Sequence, residues 1–279
     1  MRIRYSHTYW GSENLSPADF VKTITRAGYE GMELFLMPGD ETCRAFMKAL
    51  DETRKEKPDF YLVLLQLHFP GNGTAEDYRR NAAKNLEALT ALQPDFINSH
   101  TGADYYKFDD NCRIIETLQN VAEKTGVPVY HETHRGRFSF HAATLLSYLE
   151  KFPELELVGD LSHFCTVSES MLDGQEEILK AIFPRIAHVH ARIGHEQGPQ
   201  VGDPSAPEWQ GHGQKFLSWW KQIAETRNKM GKSSLSFTTE FGPPPYLLQE
   251  PHSQRPLSNQ WENNLYMLRR LKEELGEKA

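Results

Sequence analysis

Residues 127–132, VPVYHE, are a short apolar run that ends on a carboxylate, and this arrangement returns along the chain. Five other apolar runs end on a carboxylate or an imidazole: FYLVLLQLH at 60–68, DFINSH at 95–100, LELVGD at 155–160, IAHVH at 186–190 and LSFTTE at 235–240. Their last residues are 28 to 32 positions apart from His68 to His190, and 50 positions separate His190 from Glu240. A strand, a helix and their loops take about thirty residues, so this period predicts repeated βα units.

The same alternation continues through the rest of the chain. Strands are predicted from Arg2 to His7 and at 30–36, and the helix between them starts at Ser16-Pro17 and ends at Gly28. The remaining helices are predicted at 41–57, 74–92, 110–126, 141–153, 176–185, 216–232 and 261–278. Eight strands alternating with helices indicate parallel pairing. Their polar ends favour closure into a (β/α)8 barrel, an α/β fold, as one domain over residues 1–279.

Length and charge narrow the classes of protein that the chain can represent. Its 279 residues suit one barrel of this type, which commonly takes about 250 residues. The net charge of −7 argues against nucleic acid and anionic membranes as partners. The three cysteines are widely spaced, so we expect buried thiols rather than disulfides or a zinc site. Without a signal region or a long apolar run, we expect a cytoplasmic protein.

Glu132 and Glu240 each follow an apolar strand, where an unpaired carboxylate would be poorly solvated. Burial of an unpaired charge is costly, so such residues are normally paired or bound to a metal ion. Either glutamate alone could form a structural salt bridge, for example with Arg135. Together with Asp160 and His190, which end the two strands between them, they are better explained as the ligands of a metal ion.

Asp160 begins the sequence D-L-S-H, which places His163 three residues further on. If the strand ends near Asp160, this aspartate can bind the metal ion. His163, in the loop beyond the strand, could then bind a substrate oxygen. The alternative is local, with Asp160 turning the chain and His163 exposed.

His188, His190 and Arg192 are spaced by two residues, so they face the same side of their strand. His190 is nearer the carboxyl end than His188, which favours it as the ligand. His188 is then a deeper, supporting or core histidine. Arg192 could bind a substrate hydroxyl or phosphate, or it could pair with Glu196 or Asp203.

The predicted site combines two glutamates, one aspartate and one histidine, a set that suits one divalent ion. We expect Mn²⁺, with Mg²⁺, Co²⁺ or Zn²⁺ as alternatives. Such an ion polarises a carbonyl and stabilises the enediolate formed when the neighbouring carbon loses a proton. Glu132 and Glu240 on opposite faces of a bound ketose could remove and return that proton. This chemistry gives isomerisation or epimerisation.

Several other side chains could contact a substrate. His68 and His100 end the third and fourth strands, although each could instead be a hydrogen-bonded core or rim histidine. Five aromatic residues at strand ends or in loops could stack on a sugar or belong to the core: Tyr9, Trp10, Phe35, Phe69 and Trp209. The segment 193–214, rich in Gly, Pro and His, is predicted to be irregular. A loop in that position often covers the active site.

Together these residues resemble the xylose isomerase-like TIM-barrel superfamily, in particular its sugar phosphate isomerase/epimerase branch and enzymes similar to D-tagatose 3-epimerase. The resemblance covers nearly the whole chain through four motifs: E-T-H-R at 132–135, D-L-S-H at 160–163, H-V-H-A-R at 188–192 and T-E-F at 239–241. It implies a metal tetrad of Glu132, Asp160, His190 and Glu240, with both glutamates as the acid/base pair and His163 touching the substrate. It also implies a small carbohydrate substrate and a homo-oligomer.

Relatives of this superfamily leave other functions open. Endonuclease IV-type nucleases bind three zinc ions, and much of their ligand pattern is present. Asp203 has a plausible spacing for the third ion, but Ser205 stands where a histidine is needed, and the acidic charge disfavours DNA. Another alternative is a metal-dependent lyase or dehydratase that acts on a keto-sugar or keto-inositol through the same enediolate. The last alternative is a sugar-binding barrel without catalytic activity, and the intact tetrad argues against it.

Overall fold

The computed structural model describes residues 1–67, 71 and 73–276, so His68 and Phe69 lie outside the described residues. The strands are Arg2–Thr8 (β1), Gly31–Leu34 (β2), Tyr61–Leu67 (β3), Phe96–His100 (β4), Val129–Glu132 (β5), Leu157–Gly159 (β6), Ile186–Ala191 (β7) and Ser234–Thr239 (β8). The helices in this part of the chain are Pro17–Arg26 (α1), Glu41–Glu56 (α2), Ala75–Thr90 (α3), Phe108–Thr125 (α4), Ala142–Lys151 (α5), Leu161–Ser168 (α6), Glu176–Ile182 (α7), Gln210–Lys229 (α8) and Gln260–Leu275 (α9).

The eight strands form one closed barrel in which each strand pairs in parallel with its neighbours in sequence. β1 closes the barrel by pairing with β8, from Arg2 opposite Ser234 to His7 opposite Thr239. The predicted (β/α)8 barrel is therefore confirmed. Because parallel strands bring their carboxyl ends to one mouth, the polar residues that end β4 to β8 are gathered there.

Helix ends coincide with capping residues that the sequence offers. The hydroxyl of Ser16 accepts a hydrogen bond from the backbone N–H of Asp19 at 3.1 Å, and Pro17 begins α1. α4 ends at Gly126, whose φ of +70° is easily adopted by glycine. Two elements were not predicted: α6, for which Asp160 is the N-cap, and a 3-10 helix at Pro207–Trp209. The second leads into α8, so the end of the segment 193–214 is helical rather than irregular.

The strands are buried on both faces, as expected for a parallel barrel covered by helices. Four strand residues, Met32, Leu64, Ile97 and Phe237, have no exposed surface. Cys43, Cys112 and Cys165 are buried free thiols, as predicted. None of the helices in the described ranges has the length and apolar character needed to cross a membrane.

Candidate active site

The four predicted metal ligands lie at the carboxyl ends of β5 to β8, and they fall into two overlapping groups. Asp160, His190 and Glu240 offer ligand atoms within 4.8 Å of one another, and Glu132 forms a second such group with Asp160 and His163. Glu132, Asp160 and His190 are buried, and Glu240 is partly buried. Nδ1 of His190 lies 2.9 Å from Oε2 of Glu240 and 3.7 Å from Oε1 of Glu132. Neither Nδ1 of His190 nor Oε2 of Glu240 makes a hydrogen bond. These two buried atoms are therefore within ion-pair distance of each other but lack the geometry of a hydrogen bond.

The other ring nitrogen of His190 is held by Glu33 on β2, a residue that sequence analysis missed. Nε2 of His190 lies 3.0 Å from both carboxylate oxygens of Glu33. A histidine that binds a metal usually donates its second N–H to a carboxylate, which fixes the tautomer and the ring orientation. Glu33 therefore leaves Nδ1 of His190 as the nitrogen that faces Glu132 and Glu240. The signal in the sequence was a carboxylate inside the apolar run EGMELFL at 30–36.

His188 lies deeper in the barrel than His190, as its position in the strand predicted. Its two ring nitrogens make hydrogen bonds with the hydroxyls of Ser236 and Thr238 at 2.7 and 2.9 Å. Its Nε2 is also 3.7 Å from Glu33. His188 therefore supports the floor of the site beside Glu33.

Glu132 is fixed by two side chains of β4. Its Oε2 accepts hydrogen bonds from Nδ2 of Asn98 at 2.7 Å and from Nε2 of His100 at 2.8 Å. Burial alone would raise the pKa of Glu132, but His100 and His190 hold it below its usual value. The alternative salt bridge with Arg135 is not formed, because that guanidinium donates to the hydroxyl of Tyr246 at 3.2 Å.

The two carboxylate oxygens of Asp160 have different partners, the start of α6 and an arginine. Oδ1 accepts from the backbone N–H and the hydroxyl of Ser162 at 3.0 and 2.5 Å, at the start of α6. Oδ2 is in contact with Nη2 of Arg192. The same Nη2 lies 3.1 Å from Nε2 of His163 and 3.6 Å from Oε2 of Glu240. Arg192 thus places positive charge between two of the predicted metal ligands.

The charges of the site are unbalanced without a further cation. Four carboxylates, Glu33, Glu132, Asp160 and Glu240, surround one arginine and one histidine that carry compensating charge. Burial would lower the pKa of His190, but Glu240, Glu33 and Glu132 raise it well above its usual value. Burial also raises the pKa of Asp160, as do Glu240 and Glu132, against the effect of Arg192. A buried excess of negative charge around one imidazole fits one divalent metal ion.

Two residue-level predictions are corrected by this geometry. His163 lies in the first turn of α6 rather than in a loop, because Asp160 caps a helix directly after β6. It is neither exposed nor on the cavity wall: its ring is fully buried, with its centroid 3.9 Å from that of His134. Arg192 pairs with Asp160 rather than with Glu196 or Asp203, because β6 and β7 are adjacent in the barrel.

The segment 193–214 was expected to cover the site, and this expectation is wrong. None of its residues, all of which are described, lines the cavity. Gln200 instead exchanges hydrogen bonds of 2.8 and 3.2 Å with the backbone of Gly242, which ties the segment to the chain after β8. Asp203 accepts hydrogen bonds from Ser205, and no metal-capable group among the described residues includes Asp203. The third ion site of the nuclease pattern is therefore not assembled in the described part of the chain.

A cavity of about 620 Å³ adjoins the carboxylates. Its polar lining includes Glu33, His100, Glu132, His134, Arg137, Arg192 and Glu240. Its apolar lining comes from β2 and β3, the loops that follow β1 and β2, and the segment after β8. Of the predicted substrate-binding residues, His100 and Arg192 reach this cavity, and His68 lies outside the described residues.

The model of the xylose isomerase-like TIM barrel family matches residues 21–271. The chain belongs to this family. Three solved structures are similar to this xylose isomerase-like barrel in fold. The 3-keto-D-glucoside 4-epimerase YcjR from E. coli is 14% identical, with a TM-score of 0.62, and the match covers 98% of this chain and 99% of that one. The zinc-containing IolI protein is 14% identical with a TM-score of 0.62, over 99% of this chain and 98% of that one.

The third similar structure is AsbF from Bacillus anthracis, a probable 3-DHS dehydratase. It is 14% identical with a TM-score of 0.58, over 96% of this chain and 98% of that one. At this identity the likenesses establish the fold alone, because one fold carries many chemistries. No curated protein matches the chain.

Proposed function

We propose that this barrel is a divalent-metal-dependent isomerase or epimerase that acts on a keto-sugar or a related polyol derivative. The observation that carries the proposal is a buried acidic site in which Nδ1 of His190 and Oε2 of Glu240 lie 2.9 Å apart without the geometry of a hydrogen bond. One imidazole and three carboxylates suit Mn²⁺, with Mg²⁺, Co²⁺ or Zn²⁺ as alternatives. The fold similarity to an epimerase supports the proposed reaction class, and the fold similarity to a zinc-containing protein supports a divalent ion.

Glu132, Asp160, His190 and Glu240 would hold the ion. When bound, it would polarise the substrate carbonyl and stabilise the negative charge of the enediolate. Every other part of the reaction falls to side chains of this chain.

Glu132 and Glu240 perform the proton transfer in this proposal. They end β5 and β8, so they approach a substrate in the cavity from different strands of the mouth. One carboxylate removes the proton beside the carbonyl, and the other returns a proton to the same or the neighbouring carbon. His100 holds Glu132 through its Nε2 at 2.8 Å, which keeps that carboxylate oriented and ionised.

Exchange of substrate hydrogen with solvent tests the proposal. The Mn²⁺-loaded protein is incubated in D₂O with a panel of 2-keto and 3-keto sugars, and the sugars are analysed by mass spectrometry. We expect one deuterium beside the carbonyl, together with an isomer or epimer, and loss of both in Glu240→Gln. The matched control is Glu123→Gln, which changes an exposed acid on α4.

The products distinguish the alternatives. A dehydratase or lyase would convert the panel to unsaturated or shorter products instead of isomers. A protein that exchanges no hydrogen with any keto-sugar, or a Glu240→Gln variant with full exchange, would contradict the proposal.

A further inference from the structure

The cavity extends beyond the carboxylates over an apolar surface that proton transfer does not use. This apolar arm is formed by Tyr9, Trp10, Phe35, Leu36, Met37, Leu65 and Leu67. Phe35 and Met37 are 51% and 57% exposed although both are large and apolar. Exposed apolar side chains grouped on the wall of a cavity mark a ligand-binding surface. The apolar arm is therefore a candidate subsite for a part of the substrate other than the reacting sugar.

Trp10 forms a fixed platform in the apolar arm. Its indole packs over Gly242, where a Cβ would lie 2.3 Å from the ring, so a larger residue at 242 would displace it. Its backbone carbonyl accepts a hydrogen bond from Gln260 at 2.8 Å. Because the platform is held on two sides, little conformational entropy would be lost when a ring stacks on it.

The apolar arm is continuous with the reacting end of the cavity. The ring of Trp10 meets the ring of Tyr246 edge-on, with centroids 5.3 Å apart. The guanidinium of Arg192 lies over the same Tyr246 ring at 4.9 Å and contacts Asp160. A ring stacked on Trp10 could thus belong to the same molecule as a sugar held beside the carboxylates.

The charges on the cavity wall disfavour an anionic substrate. Five acids line it, Glu13, Glu33, Asp40, Glu132 and Glu240, against two arginines, Arg137 and Arg192. Arg192 is already in contact with the carboxylate of Asp160. Even with a divalent cation added, the acids remain in excess. A sugar phosphate would therefore meet net repulsion, whereas a neutral sugar would not.

We propose that the apolar arm binds the aromatic aglycone of a neutral keto-glycoside. This inference rests on the proposed function and narrows its substrate class. A cavity of about 620 Å³ lies within the range of about 300–1,000 Å³ that holds drug-sized ligands. Leu36, Leu65 and Leu67 offer no hydrogen bonds to sugar hydroxyls, so an apolar ring suits this surface better than a second sugar.

Calorimetric binding to the Mg²⁺-loaded full chain tests the inference. The probes are methyl and phenyl β-D-glycosides in the gluco and galacto series, cellobiose and glucose 6-phosphate. We expect one phenyl glycoside to bind at least tenfold more tightly than its methyl partner. Trp10→Ala and Met37→Ser should each remove this preference. Met37 is exposed, so its variant should fold; Trp209→Ala, outside the cavity, is the control.

Several results would overturn the inference: equal binding of phenyl and methyl glycosides, tighter binding of cellobiose or glucose 6-phosphate, or no binding of any glycoside. Binding of these unreactive probes needs no proton transfer. Failure of the proposed function would instead appear as absent deuterium exchange in a protein that still prefers the phenyl glycoside.

Discussion

Both carboxylate oxygens of Glu33 lie 3.0 Å from Nε2 of His190, which leaves Nδ1 facing Glu132 and Glu240. Burial alone would raise the pKa of Glu33, but His190 and His188 hold it well below its usual value. The ionised carboxylate therefore accepts a hydrogen bond from the N–H at Nε2 and fixes the orientation of the imidazole. This contact joins β2 to β7 across the barrel and would orient His190 as a ligand of the proposed metal ion.

Glu33→Gln should weaken Mn²⁺ binding by about 10- to 100-fold, the usual effect of losing the carboxylate behind a ligating histidine. Competition with a chromophoric chelator measures the affinity. Glu30→Gln is the matched control, because Glu30 lies three residues earlier and pairs with Arg2 at a partly exposed site. Equal metal affinities of Glu33→Gln and the wild type would rule out this positioning role.

Arg192→Met should lower the melting temperature of the metal-free protein much more than that of the Mn²⁺-loaded protein. Removing one partner of a buried ion pair typically costs about 3–5 kcal/mol, because the other charge is left uncompensated. A cation at the tetrad would supply charge beside Asp160 in place of the arginine. The experiment compares melting temperatures with EDTA and with Mn²⁺.

Arg113→Met provides the control for that comparison, since Arg113 pairs with Asp110 at an exposed site. Such surface pairs contribute about 0–1 kcal/mol, so the melting temperature should change little in either condition. An Arg192→Met variant whose loss of stability is the same with and without Mn²⁺ would show that the ion does not lie near Asp160.

The free energy of unfolding should fall as the pH decreases from about 6.5 to about 4. Burial lowers the pKa of His7 and of His131 from 6.5 to about 4 in the folded protein. Between pH 6.5 and pH 4 the unfolded chain therefore binds more protons than the folded protein does. Lowering the pH in this range favours the unfolded state. Above pH 6.5 these two histidines are neutral in both states, so they do not make the free energy of unfolding depend on pH.

Urea unfolding of His131→Gln at pH 4.5 and pH 7 measures that dependence. The variant should lose less stability between the two pH values than the wild type does, whatever its absolute stability. His252→Gln, at an exposed position, should keep the slope of the wild type. A His131→Gln slope equal to that of the wild type would contradict the assignment.

Gln200→Ala should lower stability by about 1–3 kcal/mol, because the backbone groups of Gly242 would lose their partners in a buried setting. Gln197→Ala, at an exposed position of the same segment, should have almost no effect. Chemical denaturation measures both variants. Equal stabilities would show that Gln200 does not anchor the segment 193–214.

Most of the architecture could be predicted because each βα unit repeats the same local pattern. The apolar runs and the capping residues Ser16 and Gly126 mark strands and helices through propensities that act within a few residues. The short helix α6 was missed because LSHFCTVS has only eight residues, too few to show a helical period. Asp160 was interpreted as a metal ligand or as a residue that turns the chain, and not as the N-cap of a helix.

The candidate site was predicted less completely than the fold, because its contacts join residues far apart in sequence. Strand ends indicated Glu132, Asp160, His190 and Glu240, since a polar residue after an apolar strand is visible locally. The bond between Glu33 and His190 spans 157 positions, and the pair of Asp160 with Arg192 spans 32. Such pairings depend on which strands are adjacent and on how side chains enter the barrel.

The number of divalent ions per chain tests most directly the claim that the tetrad binds one cation. The protein is stripped with chelator, loaded with Mn²⁺ or Zn²⁺, desalted and subjected to elemental analysis, beside His190→Ala treated in the same way. The account predicts one ion per wild-type chain and its loss in the variant. Two or three ions would favour the nuclease-like arrangement. No ion in the wild type, or one retained in His190→Ala, would contradict the account.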